Sequence, residues 1–219
     1  MIEINNLLDT SKTIAKDIFL GKKYPFEVLP EIKDFILELQ KNLNKDEFNI
    51  TDENIYIHKS VKVYETANIF GPCIIDEGTE VRPGAFIRGN AIIGKNCVVG
   101  NSTEIKNVII FDNVQVPHYN YVGDSVLGFK SHMGAGSITS NVKSDKTLIK
   151  VKNGDEVIET GLKKMGAILG DKVEVGCNSV LNPGTIIGRN TNIYPLSSVR
   201  GTVPQNSIFK SAENIVEKF

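Results

Sequence analysis

IYIHKS VKVYET ANIFGP CIIDEG TEVRPG AFIRGN AIIGKN CVVGNS TEIKNV, residues 55–108, is the stretch from which the fold is read. The third residue of each sextet is Ile57, Val63, Ile69, Ile75, Val81, Ile87, Ile93, Val99 and Ile105. A helix would space its apolar residues by three and four, and an amphipathic strand would alternate over one short run. A six-residue beat fits neither. With glycine, proline or asparagine near the end of each unit, it describes short strands joined by tight corners. Three units then make one triangular turn of a parallel β-helix, and the turns stack as a solenoid. The aliphatic residue points inward and builds the axial core. After Ile105 the frame slips by one residue and resumes at Ile110, Val116 and Val122. It returns as Leu169, Val175, Leu181, Ile187, Ile193 and Val199. The period itself leaves handedness open.

Three segments depart from the beat. Residues 1–50 read as helical, with an apolar stripe through Leu7, Leu8, Ile14 and Ile18. Pro30 then opens EIKDFILELQKNL, where Ile32, Phe35, Ile36 and Leu39 share one face. Such a segment is expected to cap the open end of the solenoid, whose strand edges are otherwise unpaired. Within residues 139–166, LIKV-KNGD-EVIE reads as a hairpin turning at Asn153-Gly154. It is either a functional loop or a bland insertion. The last segment, AENIVEKF, reads as a short terminal helix. The expected division is thus a helical segment over 1–50, an all-β solenoid over 51–204 with the 139–166 loop extruded, and a tail over 205–219.

Of the 219 residues, 41% are hydrophobic and 23% charged, and 25 cations against 26 acids leave a formal net charge of −1. That balance argues against a nucleic-acid partner, which calls for a basic excess or stripe. No apolar run is long enough to span a membrane. MIEINNLLDT carries acids and no apolar h-region, so no signal peptide is expected. Cys73, Cys97 and Cys177 are odd in number and lack ligand spacing. Neither a disulfide framework nor a structural zinc is expected, and a reducing cytoplasm is the simplest compartment.

In a solenoid, residues 18 apart lie one coil apart, about 4.8 Å away. Arg82, Arg88, Lys106 and His118 all occupy the fourth position of their sextets. Arg88 and Lys106, 18 apart, stack on one face; Arg82, Gly100 and His118 are expected to form a second column. Two stacked cations either hold an anion between them, such as a phosphosugar, or lie independently in solvent. PHYNYVGDSVLGFKSHMGAGSITSN, residues 117–141, then supplies candidate chemistry. A neutral imidazole at His118, three residues before Tyr121, can take a proton from an attacking amine. The small residues Gly134-Ala135-Gly136 would let backbone N–H groups approach a developing oxyanion. No cysteine or serine sits in a nucleophile setting, which favours direct transfer over a covalent intermediate.

GNSTEIKN, HYNYVGDS, GAGSITSN and KMGAILGD carry a resemblance that covers about residues 80–200. The chain resembles the left-handed β-helix (hexapeptide-repeat) acetyltransferase domain of bifunctional glucosamine-1-phosphate acetyltransferase/N-acetylglucosamine-1-phosphate uridyltransferase. It looks closer still to the C-terminal domain of archaeal-type sugar-1-phosphate nucleotidylyltransferases. The resemblance implies a left-handed coil and puts the catalytic base on His118, with Glu104 near it to orient the imidazole. It implies sugar-phosphate contacts at Arg88 and Lys106, with Arg82 carrying the shifted RPG word. Tyr121 and Asn141 fall near the amino sugar, and Lys164 matches a loop lysine. The acetyl-CoA edge falls on Ala135, Cys177 and Pro195, which would act through backbone groups. The resemblance departs at His132, where the bifunctional family carries asparagine. It departs again before the solenoid, where residues 1–50 are too few to form a nucleotidylyltransferase domain.

The resulting expectation is acetyl-CoA-dependent N-acetylation of a glucosamine- or galactosamine-1-phosphate by a homotrimer with sites between subunits, and no metal. Two rivals stand beside it. A metal-dependent hydratase resembling the γ-class carbonic anhydrases would need three converging histidines, and His58 lies more than three coils from His118. A non-catalytic trimeric scaffold or sugar-phosphate-binding module would keep the anion site without the transfer.

Overall fold

The computed structural model describes residues 2–51 and 54–218. Residues 55–211 wind into a left-handed parallel β-helix of triangular section, as the six-residue beat and the resemblance together require. One face stacks Ile55–His58, Cys73–Ile75, Ala91–Ile93, the ends of Glu104–Ile110 and Tyr121–Leu127, then Ala167–Leu169, Thr185–Ile187 and Thr202–Val203. A second face runs from Lys62–Val63 through Val98–Asn101, Gln115–His118 and His132–Met133 to Ser207–Ser211. The third carries Phe86–Ile87, the starts of Glu104–Ile110 and Tyr121–Leu127, and Ile138–Thr139. The inward aliphatic residues of all three faces, Ile75, Val81, Ile87 and their successors, are fully buried. The asparagines near the unit ends hold left-handed corners, Asn90, Asn96, Asn113, Asn178 and Asn190 among them, a conformation asparagine adopts more readily than most residues.

The beat does not stop at Val122. Leu127, Met133 and Thr139 continue it after a second five-residue step, with polar Thr139 taking the inward place just before the hairpin leaves. That hairpin pairs Lys150–Asn153 with Glu156–Glu159 around the two-residue loop Gly154-Asp155, one residue beyond the expected turn.

The N-terminal segment departs from its expected form and place. Among the described residues only Ile32–Asn42 is an α-helix longer than about one turn; a four-residue α-helical turn at Ile4–Leu7 and 3-10 segments, including Pro25–Glu31 around Pro30, make up most of the rest. Instead of capping an end, it runs along the first face. Asp112 and Asp171 donate backbone N–H groups to Lys12 and Leu7, and Gln40 donates to the carbonyls of Asn54 and Cys73. Ile32 and Ile36 are fully buried, as are Ile74, Ile92 and Ile109, which alternate with the inward residues and so point outward on this face. The ends are closed by antiparallel strands instead: Phe48–Thr51 pairs with Ile55–His58, and Asn214–Glu217 with Ser207–Ser211. The segment read as a terminal helix is therefore a strand, because the last parallel rung offers an unpaired edge that a strand satisfies and a helix does not. Its final residue, Phe219, lies outside the described residues. No helix among the described residues is long and apolar enough to cross a membrane.

Candidate functional site

Where the second face turns into the third, the residues two places beyond each inward side chain stack along one corner. His118 lies in register with Asn101 on one neighbouring coil and with Ala135 on the other. The pairing of Met133 with Val175 and of Val175 with Ile193 extends the column to Cys177 and Pro195. His118, Ala135, Cys177 and Pro195 thus climb one edge at about 4.8 Å per step. In Gly134-Ala135-Gly136, Gly134 N–H donates to the Val175 carbonyl at 2.7 Å and Gly136 N–H to that of His118 at 3.0 Å. Among the described residues the N–H of Ala135 donates to nothing. The Cys177 N–H is likewise uncommitted, and Pro195 has only a carbonyl to offer.

The column expected from the sequence, Arg82 with Gly100 and His118, does not form. One coil is seventeen residues long, so Val99 pairs with Val116 and Gly100 faces Pro117. Arg82 lies two coils from Pro117 and gives its Nε to Glu80 at 3.1 Å, away from the other candidates.

The third face gathers the rest. Arg88 and Lys106 are in register, as their spacing required, and Lys106 pairs onward with Gly123. Glu104 makes no hydrogen bond to the imidazole among the described residues. Its carboxylate takes Arg88 Nη1 at 2.7 Å, because both side chains point outward from adjacent strands two positions apart. The Glu104 carboxylate raises the Arg88 pKa above its already high ordinary value. Exposed His118 has no hydrogen-bond partner for its ring among the described residues; its backbone N–H donates to Asn120 Oδ1 at 3.1 Å. Asn141 Nδ2 donates to Tyr121 Oη at 3.1 Å and to Asp124 Oδ2 at 2.6 Å. Burial, reinforced by the charges of Asp124 and Glu104, raises the Tyr121 pKa and keeps the phenol protonated. A Cβ at Gly123 would come within 2.5 Å of that hydroxyl, so glycine here makes room for the Tyr121–Asn141 pair. Met165 N–H donates to the Asn141 carbonyl at 3.1 Å, which brings exposed Lys164 beside this group.

Two polar residues went unread in the sequence. Asn120 is buried, and its Nδ2 reaches the carbonyls of Gly134 and Ser137 at 2.8 and 3.1 Å. It ties the His118 turn to the Ala135 turn on the next coil. Asp124, buried and with φ of 49°, holds both Asn141 and Asn107. The signal was present for Asn120, which takes the inward place held by Thr103 and Ser137 on the neighbouring coils and so needs polar partners. Asp124 lies instead beneath the N-terminal segment, where Asn107 Nδ2 also reaches the Leu29 carbonyl at 3.2 Å. His132 stands apart on the second face, its Nδ1 2.8 Å from Glu174 Oε2. His58 pairs with Ser60.

Comparison with known proteins adds a family and its relatives. Residues 69–188 match the family model described as the GMPPB C-terminal domain. The chain is 33% identical over 195 residues to the bifunctional protein GlmU of Methanococcus aeolicus, covering 78% of this chain and 47% of that one. It is 36% identical over 107 residues to a bifunctional sugar-1-phosphate nucleotidylyltransferase/acetyltransferase of Sulfurisphaera tokodaii, covering 49% and 27%. It is 32% identical over 193 residues to YaiX of Escherichia coli, named as an uncharacterized acetyltransferase, covering 80% and 82%. The chain therefore spans about half or less of the bifunctional relatives' length.

Proposed function

Since this chain belongs to the GMPPB C-terminal domain family, we propose that it transfers an acetyl group from acetyl-CoA to the amine of an amino-sugar 1-phosphate. The observation that carries this reading is the register of His118 with Ala135: a free imidazole one coil from an uncommitted N–H, beside a face bearing Arg88, Lys106, Tyr121 and Asn141. Names borne by its relatives, GlmU and a sugar-1-phosphate nucleotidylyltransferase/acetyltransferase, favour the same chemistry.

In this mechanism His118 accepts a proton from the amine as its nitrogen forms a bond to the thioester carbonyl carbon. The Ala135 N–H donates to the oxyanion that develops there. The C–S bond then breaks, and the imidazolium returns its proton to the departing thiolate. Lys106 supplies the uncommitted charge for the sugar phosphate, and Glu104 fixes the guanidinium of Arg88 beside it. Tyr121 donates its phenolic proton to the sugar, held in place by Asn141 and, behind that, Asp124. The uncommitted N–H group of Cys177, one coil further along the corner, suits the amide-bearing arm of CoA. A single solenoid face is too flat to enclose two substrates, and the resemblance to hexapeptide-repeat acetyltransferases supports a homotrimer with sites between subunits as the working unit. Tyr119 and Leu196, 63% and 79% exposed at left-handed corners beside the column, suit contact with a neighbouring copy.

The test is thiol release from acetyl-CoA with glucosamine-1-phosphate, galactosamine-1-phosphate and a UDP-hexosamine as acceptors, with His118→Ala alongside. The expected result is release with one acceptor and a loss of more than ~10²-fold in the variant, with substrate binding retained. An unchanged rate in His118→Ala removes the mechanism. Silence with every acceptor, from folded trimeric protein, points to a binding module.

A further inference from the structure

The hairpin that leaves the solenoid after Thr139 is seated on it. Its strand Lys150–Asn153 lies against Thr202–Val203, Thr202 Oγ1 donates to the Lys152 carbonyl at 2.7 Å, and Ile149 and Val151 are fully buried beneath. Between hairpin and coil is a pocket of about 240 Å³ lined by Lys143, Lys150, Lys152, Pro183, Arg200 and Gly201. Four of these six residues are cations and none is acidic, in a chain whose net charge is −1. Lys150 reaches Glu159 at 2.6 Å and Lys143 reaches Asp145 at 3.4 Å, both outside the lining. Lys152 and Arg200 make no ion pair among the described residues. Like charges gathered this closely repel unless a multivalent anion lies among them.

We propose that this pocket binds the diphosphate group of a nucleotide. The cations come from two separate elements, the hairpin and the upper coil, and so can grip two linked phosphoryl groups from opposite sides. Arg200 offers a planar fork for one, and the lysines act as point charges. No aromatic residue lines the pocket to stack a base, so recognition follows the phosphates and not the nucleoside. The site is separate from the Arg88–Lys106 pair. Register runs from Lys106 through Gly123, Ser140 and Asn182 to Arg200, four coils or about 19 Å along the axis. The inference is also independent of acyl transfer, since binding is read without turnover.

The experiment is titration calorimetry of the full chain with inorganic pyrophosphate, CoA, UDP, adenosine and pantetheine, comparing wild type with Lys152→Met/Arg200→Met. Pyrophosphate affinity is expected to fall at least ~30-fold, equivalent to about 2 kcal/mol. Lys33→Met/Lys45→Met, which removes two exposed cations elsewhere, should leave it unchanged. A parallel loss for CoA alone assigns the site to the acyl donor, for UDP alone to a sugar nucleotide, and for both to any nucleotide diphosphate. If the double variant melts early, Arg200→Gln is read instead, with about a tenfold loss expected. Equal pyrophosphate affinity in wild type and a folded variant overturns the proposal, as does adenosine or pantetheine binding that falls in step, or no pyrophosphate binding at all.

Discussion

Gly100→Ala tests whether the seventeen-residue coil sets the position of the candidate base. A Cβ built on Gly100 lies 1.6 Å from the Pro117 carbonyl oxygen, 1.9 Å from its carbon and 2.3 Å from its Cα. These are backbone atoms and cannot rotate away. Restoring van der Waals separation, about 3.5 Å between carbons, moves the Pro117 peptide by roughly 1.5–2 Å. Overpacking in a core typically costs 1–3 kcal/mol, and a backbone collision belongs at about 3 kcal/mol or above. For a chain of this size each kcal/mol lowers Tm by roughly 2–4 °C, so a fall of about 6–12 °C is expected. Because His118 follows Pro117 directly, thiol release should fall as well. Gly123→Ala is the comparator. There the new Cβ meets Tyr121 Oη at 2.5 Å, Tyr121 Cζ at 2.8 Å and Asn141 Nδ2 at 2.9 Å, all far ends of side chains that can yield. It should melt within about 4 °C of wild type, the shift for about 1 kcal/mol. Splitting the Tyr121–Asn141 bond should instead raise KM for the acceptor about tenfold, equivalent to about 1.4 kcal/mol. Circular dichroism melts and thiol-release kinetics on both variants provide the readout. A Gly100→Ala melt within about 2 °C of wild type, or a lower one for Gly123→Ala than for Gly100→Ala, would refute the reasoning.

Thiol chemistry should divide the cysteines. Burial pushes Cys73 and Cys97 up to about 12, whereas Cys177 is exposed. A disulfide reagent at pH 8 should therefore titrate one thiol in the native chain and three in denaturant. The sign for stability follows: unfolded thiols ionise from about pH 8.5, and the folded ones not until about 12. The contribution is present below about 8.5 and lost as pH rises towards 12. Urea midpoints should fall across that window, and Cys97→Ala should flatten the fall. Asn120→Ala removes the side-chain donor shared by the carbonyls of Gly134 and Ser137, the former still held by the Ser137 N–H and Oγ, at about 1–3 kcal/mol. It should lower kcat more than a surface change of equal Tm effect, because the His118 and Ala135 turns lose their tie. Ile36→Ala removes a fully buried side chain of the flanking helix. It should cost about 2–5 kcal/mol in denaturant unfolding with KM unchanged.

The axial core was legible because the inward place of nearly every sextet holds an aliphatic residue. The slip at Val108-Ile109-Ile110 was legible too, but the eighteen-residue spacing was carried across it unshortened. The covered first face explains the run: Ile109 points out and is still buried. Register errors therefore begin after Ile105. Arg88 and Lys106 lie before the slip and were aligned correctly; Gly100 and His118 straddle it and were not. Glu104 was assigned to His118 because the resemblance carries residue identity but not the direction of an outward rotamer, which here favours Arg88. The N-terminal stripe through Leu7, Leu8, Ile14 and Ile18 had helical spacing, yet a flat sheet face can bury such a stripe in any local conformation. Gly21 at φ of 74° and Pro25 keep that conformation irregular.

Unequal cover of the three faces accounts for where the candidate chemistry lies. The first face spends its outward positions on apolar contact with the N-terminal segment, and the seated hairpin packs against its upper strands. Outward side chains beneath that cover can change stability but cannot reach the proposed acyl-transfer site. The second face presents Glu80, Gln115, His132 and Glu174, which pair with side chains of this chain or face solvent. That leaves the third face and the corner it shares with the second, where outward residues are polar and half-exposed and where Asn120 from inside and Asp124 from beneath the N-terminal segment fix the geometry. The buried polar pair lies in the coils next to the hairpin exit, where Thr139 replaces an aliphatic core residue. An axial core that turns polar at one level loses hydrophobic stabilisation there, and hydrogen bonds between coils replace it. Those bonds are directional, as apolar contacts are not. They hold His118, Ala135, Tyr121 and Asn141 in one arrangement at the level where the proposed transfer needs them.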